Sequence, residues 1–148
     1  MSVSQAFFSP GLTCVTEILR QFQACRRTAD VCVFTITDDR ITRAIIAAHQ
    51  RGVEVRVLTD DDKSHDLGSD VRTLAAAGVP CKMDVGNVAH MHHKFAVFDG
   101  HLLLSGSFNW TRSASEFNEE NLIVTADTAL VAAFAARFAV LWERLRAV

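Results

Sequence analysis

Seven polar residues in the second half of the chain interrupt stretches that are otherwise apolar: His90, His92, Lys94, Asp99, Ser107, Asn109 and Glu120. His92 and Lys94 are two positions apart, as are Ser107 and Asn109, and on a β-strand that spacing puts both members of a pair on one face. If the two strands are neighbours, four polar side chains converge. The imidazole offers a nucleophile or a proton carrier near neutral pH. The ammonium, hydroxyl and amide offer donors for the oxygens of an anion. Lysine is almost never buried without an anionic partner or ligand, so Lys94 on a core strand needs one. A nucleophile ringed by donors suits attack on a phosphate.

A metal centre is the competing reading, because His90 and His92 share a face and His93 is adjacent. Lys94 argues against it: an ammonium on the same face repels a divalent cation, and no Asp or Glu lies within a few residues of these histidines along the strand. No metal and no cofactor are expected. Cys14, Cys25, Cys32 and Cys81 form no C-x-x-C pair and read as reduced, buried small hydrophobes.

These groups need a scaffold, and the apolar periodicity supplies one. Ser9 and Pro10 read as a cap and first-turn proline for a helix whose face is Val15, Ile18, Leu19 and Phe22. Asp30 to Ile36 reads as a buried strand; Thr37 or Asp38 caps a helix over Ile41, Ala44, Ile45 and Ala48 that ends at Gly52; Val53 to Thr59 is the next strand. Asp60, Asp61 and Asp62, followed by Lys63, Ser64 and His65, read as a solvated turn in preference to a cation site. Val71, Leu74 and Ala75 form another helix face closed by Gly78, and Val79 to Asp84 re-enters as a strand. Successive strand-helix-strand units imply parallel pairing. His92 to Phe98 and Leu102 to Phe108 then form a hairpin through Asp99-Gly100. Glu120 to Thr125 is a further strand, and from Asp127 the residues Phe134, Phe138, Leu141, Trp142 and Leu145 mark a closing amphipathic helix. The expected class is α/β, a mixed β-sheet flanked by helices.

With 148 residues, the chain has the length of one domain. Its 49% hydrophobic and 22% charged residues exclude a disordered tail, a collagen-like repeat or a disulfide scaffold. A formal charge of −2 provides no global basic field, so a polyanion site must be local. No run approaches the roughly 18 apolar residues of a membrane span, and Met1 to Leu12 lacks a signal-peptide pattern, so the default expectation is a cytoplasmic protein.

The runs His92-His93-Lys94-Phe95-Ala96-Val97-Phe98-Asp99 and Gly106-Ser107-Phe108-Asn109 form an H-x-K-x4-D…G-S-x-N pattern that resembles the signature of the phospholipase D superfamily. The resemblance extends from about Phe8 to the C-terminus and looks closest to the short, single-motif branch, which includes Nuc-type bacterial endonucleases and the mitochondrial Zucchini proteins. It implies that His92 is the nucleophile that forms a phosphohistidine, that Glu120 holds its other ring nitrogen, and that Lys94 and Asn109 bind the non-bridging oxygens. It also implies that Ser107 belongs to the same hydrogen-bonded network. Asp99 belongs to the motif, but at the hairpin turn it suits a structural brace better than a proton donor. Trp110 and Arg112 are candidate substrate contacts, by stacking and phosphate pairing respectively, against the alternative of a core Trp and a solvated Arg. His93 points away and reads as packing.

In-line displacement at phosphorus needs a nucleophile and an acid on opposite sides, and one histidine cannot fill both places. A single H-x-K therefore implies a two-fold homodimer in which the partner's His92 is the general acid. The leading expectation for the substrate is nucleic acid, most simply single-stranded, with Arg26, Arg27, Arg40, Arg43 and Arg112 flanking a groove. Hydrolysis of a phospholipid such as cardiolipin is the alternative, without stable membrane insertion. The membrane anchor and Cys/His zinc cluster of the family's animal mitochondrial members are not recognisable in this sequence, which argues against a mitochondrial anchor.

Overall fold

A computed structural model describes residues 4–60, 70–84, 86 and 88–148. The strands are β1 (Gln5–Ser9), β2 (Thr28–Val33), β3 (Glu54–Asp60), β4 (Cys81–Asp84), β5 (Lys94–Phe98), β6 (Leu102–Gly106), β7 (Glu120–Thr125) and β8 (Arg146–Ala147). The helices among the described residues are α1 (Thr13–Ala24), α2 (Asp39–Gln50), α3 (Val71–Ala76), α4 (Arg112–Glu116) and α5 (Thr128–Arg144). The strands form one mixed sheet in the order β1-β7-β6-β5-β2-β3-β4-β8. β2, β3 and β4 run parallel, as the strand-helix-strand pattern requires, while β5 pairs antiparallel with both β2 and β6.

Side-chain alternation builds a core on each face. Val31, Val33, Ala96, Phe98 and Leu104 pack with α1 and α2 residues such as Ile18, Phe22, Ile41 and Ile45. Cys32, Phe95, Val97 and Leu103 face the other way, against Val131, Phe138 and Leu141 of α5. The four cysteines are free and buried; burial pushes the Cys32 and Cys81 thiols up to about 12.

Several local expectations are corrected. Ser9 and Pro10 do not cap α1: Ser9 ends β1, its hydroxyl donating to the Asn118 carbonyl at 2.8 Å and accepting the Glu120 N–H at 3.2 Å. The helix begins at Thr13, with no side-chain cap. Asp38 and Asp127 do cap their helices, accepting the N–H groups of Arg40 and Leu130. The turn assigned to Asp61, Asp62, Lys63, Ser64 and His65 lies outside the described residues, whereas Asp60 belongs to β3 and is 1% exposed. Asp99 and Gly100 both adopt positive φ, 55° and 60°, in the turn that the His101 N–H closes on the Phe98 carbonyl at 2.9 Å.

Candidate active site

β5 runs opposite to β2, so its first residues lie at the carboxyl end of β2, the edge of a parallel sheet where ligands gather. His92 lies two residues before the start of β5 and is exposed, while Lys94 opens the strand and is half-buried. Lys94 Nζ lies 3.0 Å from His92 Nδ1 and 3.4 Å from Nε2, and donates to the His92 carbonyl at 2.6 Å. Burial, the Lys94 charge and then His90 hold the His92 imidazole below its ordinary pKa, against an opposing pull from Asp60. A neutral ring keeps a lone pair for attack. Burial also lowers the Lys94 ammonium, which Glu120 counteracts.

β6 brings in the second half of the constellation. Gly106 ends the strand where a Cβ would collide with the Asn121 carbonyl, so only glycine lets β6 and β7 approach this closely. Ser107 follows, donating to Glu120 Oε1 at 2.7 Å and accepting the Asn121 N–H at 3.0 Å. Asn118 Nδ2 donates to Glu120 Oε2 at 3.1 Å. Among the described residues, Asn109 Oδ1 is a buried polar atom with no hydrogen-bond partner, an acceptor that an N–H or O–H donor would satisfy. His92, His93, Lys94, Gly106, Ser107 and Phe134 line a cavity of about 480 Å³.

The expected Glu120–His92 contact is not made within one chain. Both oxygens of Glu120 are engaged by Ser107 and Asn118, and the His92 nitrogens face Lys94 instead. Asp99 is also removed from the chemistry: it follows β5 at the end opposite Lys94, about 16 Å from it at strand rise. Its carboxylate accepts the amide N–H groups of Arg26, Arg27 and Thr28 at 2.7–3.2 Å. Trp110 is corrected too, since it is 1% exposed and packs edge-on against Phe22 at 5.8 Å, which leaves no face for stacking. Arg112 is exposed and pairs with Glu116 at 3.7 Å. Arg26 and Arg27 sit at the Asp99 end, and Arg40 is held by Asp38 at 2.7 Å, so the arginines do not form one flank.

Two site residues went unread in the sequence. The Phe34 ring lies 4.7 Å from the His92 ring, 5.4 Å from that of His90 and 5.3 Å from Lys94 Nζ, a shared floor for all three. Asp60 accepts the Met91 N–H at 2.8 Å and lies 3.5 Å from His90 Nδ1, fixing the segment that enters β5. His93 packs edge-on to Phe95 at 5.5 Å. Among the described residues no group of three His, Cys, Asp or Glu side chains is arranged to hold a metal ion.

Residues 18–142 match the family model described as "Cardiolipin synthase, PLD-like domain". A Chlamydomonas reinhardtii protein named mitochondrial cardiolipin hydrolase is 44% identical over 139 residues, covering 94% of this chain and 62% of its own length. Proteins of the same name from Danio rerio and Homo sapiens are 40% and 38% identical over 131 and 134 residues, covering 88% and 90% of this chain and 58% and 53% of their own. The chain thus spans about three-fifths of the length of the curated relatives it matches. Among solved structures, the phospholipase D family member Nuc from Salmonella typhimurium superimposes with a TM-score of 0.93 at 24% identity, covering 100% of this chain and 99% of its own. NucT from Helicobacter pylori gives 0.92 at 22%, covering 100% of both chains. The relatives' names overturn the cytoplasmic expectation: they are mitochondrial proteins, and the lack of a recognisable address in a sequence is not itself an address.

Proposed function

The chain belongs to the phospholipase D-like family of the cardiolipin synthase type, and from that premise we propose that it is a phosphodiesterase using His92 as covalent nucleophile and acting on a cardiolipin-type phospholipid. The observation that carries the chemistry is the Lys94 ammonium against both ring nitrogens of His92 on the wall of one cavity. A phosphate oxygen arriving there takes over the Lys94 hydrogens and uncovers the ring lone pair. A His92 nitrogen then bonds to phosphorus, the bond from phosphorus to the leaving alcohol breaks, and that oxygen takes a proton. In the second step water bonds to phosphorus, its proton passes to the group that protonated the leaving oxygen, the phosphorus–nitrogen bond breaks and the His92 ring returns to its neutral state. Lys94 Nζ and, in this reading, the Asn109 Nδ2 group donate to the non-bridging oxygens; Ser107 and Glu120 brace the segment that follows β6 and offset the Lys94 charge.

The leaving oxygen's proton comes, in this reading, from His92 of a second copy related by a two-fold axis. Phe8, Leu12 and Phe117 are 64%, 61% and 75% exposed around Ser9 and Asn118, next to Glu120, and supply an apolar surface on which that copy seats.

The sequence alone put nucleic acid first. Two observations reverse that order in favour of lipid: the relatives' name, and the dispersal of the arginines expected to flank a groove. Among the described residues no helix is long and apolar enough to cross a membrane, so access to lipid is from the surface in this reading. The test is release of phosphatidic acid from cardiolipin vesicles by the purified chain, run beside labelled single-stranded DNA and RNA. Lipid turnover that disappears in His92→Ala supports the reading; cleavage of the oligonucleotides with no lipid product contradicts it.

A further inference from the structure

The same sheet edge carries a second cavity, of about 580 Å³, whose lining includes Asp84, His90, Arg144 and Arg146. It opens at the carboxyl end of β4 beside the short antiparallel β8, where Met83 is paired with Arg146. His90 joins it to the active site, because the His90 and His92 rings both rest on Phe34, at 5.4 and 4.7 Å. Arg144 and Arg146 are exposed, and neither has a carboxylate partner among the described residues. Asp84, the carboxylate lining the cavity, is buried. Among the described lining residues two guanidinium groups stand against one carboxylate, an excess of positive charge next to a site suited to phosphate.

We infer that this cavity binds a second phosphate of the substrate, joined to the scissile one by a short bridge, so that the enzyme prefers a bis-phosphate lipid to a lipid with one phosphate. The inference rests on the proposed lipid hydrolysis and deepens it. Cardiolipin has this chemistry: two phosphates joined through one glycerol. While His92 attacks one phosphate, Arg144 and Arg146 hold the other as paired donors to its non-bridging oxygens. Phosphatidylglycerol presents the same scissile bond without the second anion and leaves the cavity unused.

The experiment compares kcat/KM on cardiolipin and on phosphatidylglycerol, each diluted in phosphatidylcholine to equal surface charge, for the wild type and for Arg144→Ala/Arg146→Ala. The expected result is a fall of about tenfold or more in the cardiolipin-to-phosphatidylglycerol ratio, carried mainly by KM, with partial rescue by Arg144→Lys/Arg146→Lys. An unchanged ratio overturns the inference, including the case where both lipids weaken equally, which marks the arginines as general membrane contacts. Loss of single-stranded oligonucleotide cleavage without a change in the lipid ratio assigns the cavity to nucleic acid and also overturns it. A wild type that hydrolyses bis(p-nitrophenyl) phosphate but neither lipid fails at the lipid reading itself, which separates that failure from one of the cavity. Thermal melting of both double variants confirms that the fold is intact.

Discussion

At the scale of single residues, the account turns on keeping His92 neutral and in place. Lys94→Ala is expected to reduce kcat by about 10²–10³-fold with little change in melting temperature, because it removes a donor to the developing charge; a large loss of thermal stability instead makes Lys94 structural. The imidazole pKa provides a sign test by NMR titration. Lys94→Met removes a cation that disfavours protonation, so the His92 midpoint rises, whereas Asp60→Asn removes an anion that favours it, so the midpoint falls. The acid limb of the activity profile follows the same midpoint: activity extends below the ordinary imidazole range and is lost as pH falls through the lowered value. Phe34→Leu is expected to lower kcat more than it raises KM, and Phe34→Tyr to restore it, since the ring face is what His92 and Lys94 rest on. That Lys94 meets His92 was legible in the sequence because the two are at strand spacing beside the start of β5, and that Ser107 lies near Glu120 because each sits at the same end of neighbouring strands. Phe34 and Asp60 were not, because β2 and β3 bring them in through a register that local spacing does not encode. Of the two readings the sequence left open for Trp110, the structure has the core one, against Phe22 of α1, a contact far away in sequence.

At the scale of elements, the β5–β6 hairpin positions the chemistry, and its two ends do different work. Burial alone would raise the Asp99 carboxyl, but the amide N–H groups of Arg27, Thr28 and Arg26 and the Arg27 charge draw it below the usual carboxylate range. A depressed folded-state pKa adds stability that is present above the unfolded value and lost as pH falls through the folded one. Asp99→Ala should therefore cost about 1–3 kcal/mol of stability near neutral pH, by denaturant melts, and less in acid, while the remaining folded protein keeps its turnover. At the other end, Gly106→Ala drives a methyl into the Asn121 carbonyl; the expected cost is about 1–3 kcal/mol together with a loss of activity, because Ser107 and Asn109 follow directly. The hairpin was legible through Asp99-Gly100, and β7 through its Val and Ile content. β1 was hidden: its short run has no clean alternation, and Ser9-Pro10 imitates the start of a helix. α4, Arg112–Glu116, has too few apolar residues to show a period.

At the scale of the whole molecule, the single H-x-K carries a consequence for assembly. Sedimentation is expected to give a dimer, and Phe117→Asp, at an exposed apolar position outside the cavity, is expected to yield monomer with strongly reduced activity. If each centre needs both copies of His92, refolding equal amounts of wild type and His92→Ala together leaves about a quarter of the wild-type activity per dimer; about a half instead would show that each chain works alone. The α/β class and the mixed sheet were legible in the alternation of strand and helix patterns, because parallel pairing and right-handed crossover leave few other arrangements. Substrate and compartment were not, since net charge and the lack of an address constrain neither. The central claim is the covalent step, and quenching the wild type during turnover of bis(p-nitrophenyl) phosphate, followed by mass spectrometry of its peptides, tests it most directly. The account predicts an acid-labile, alkali-stable p-nitrophenylphosphoryl group on His92 that is absent from His92→Ala. A phosphoryl group on another residue, or wild-type turnover by His92→Ala, would contradict it.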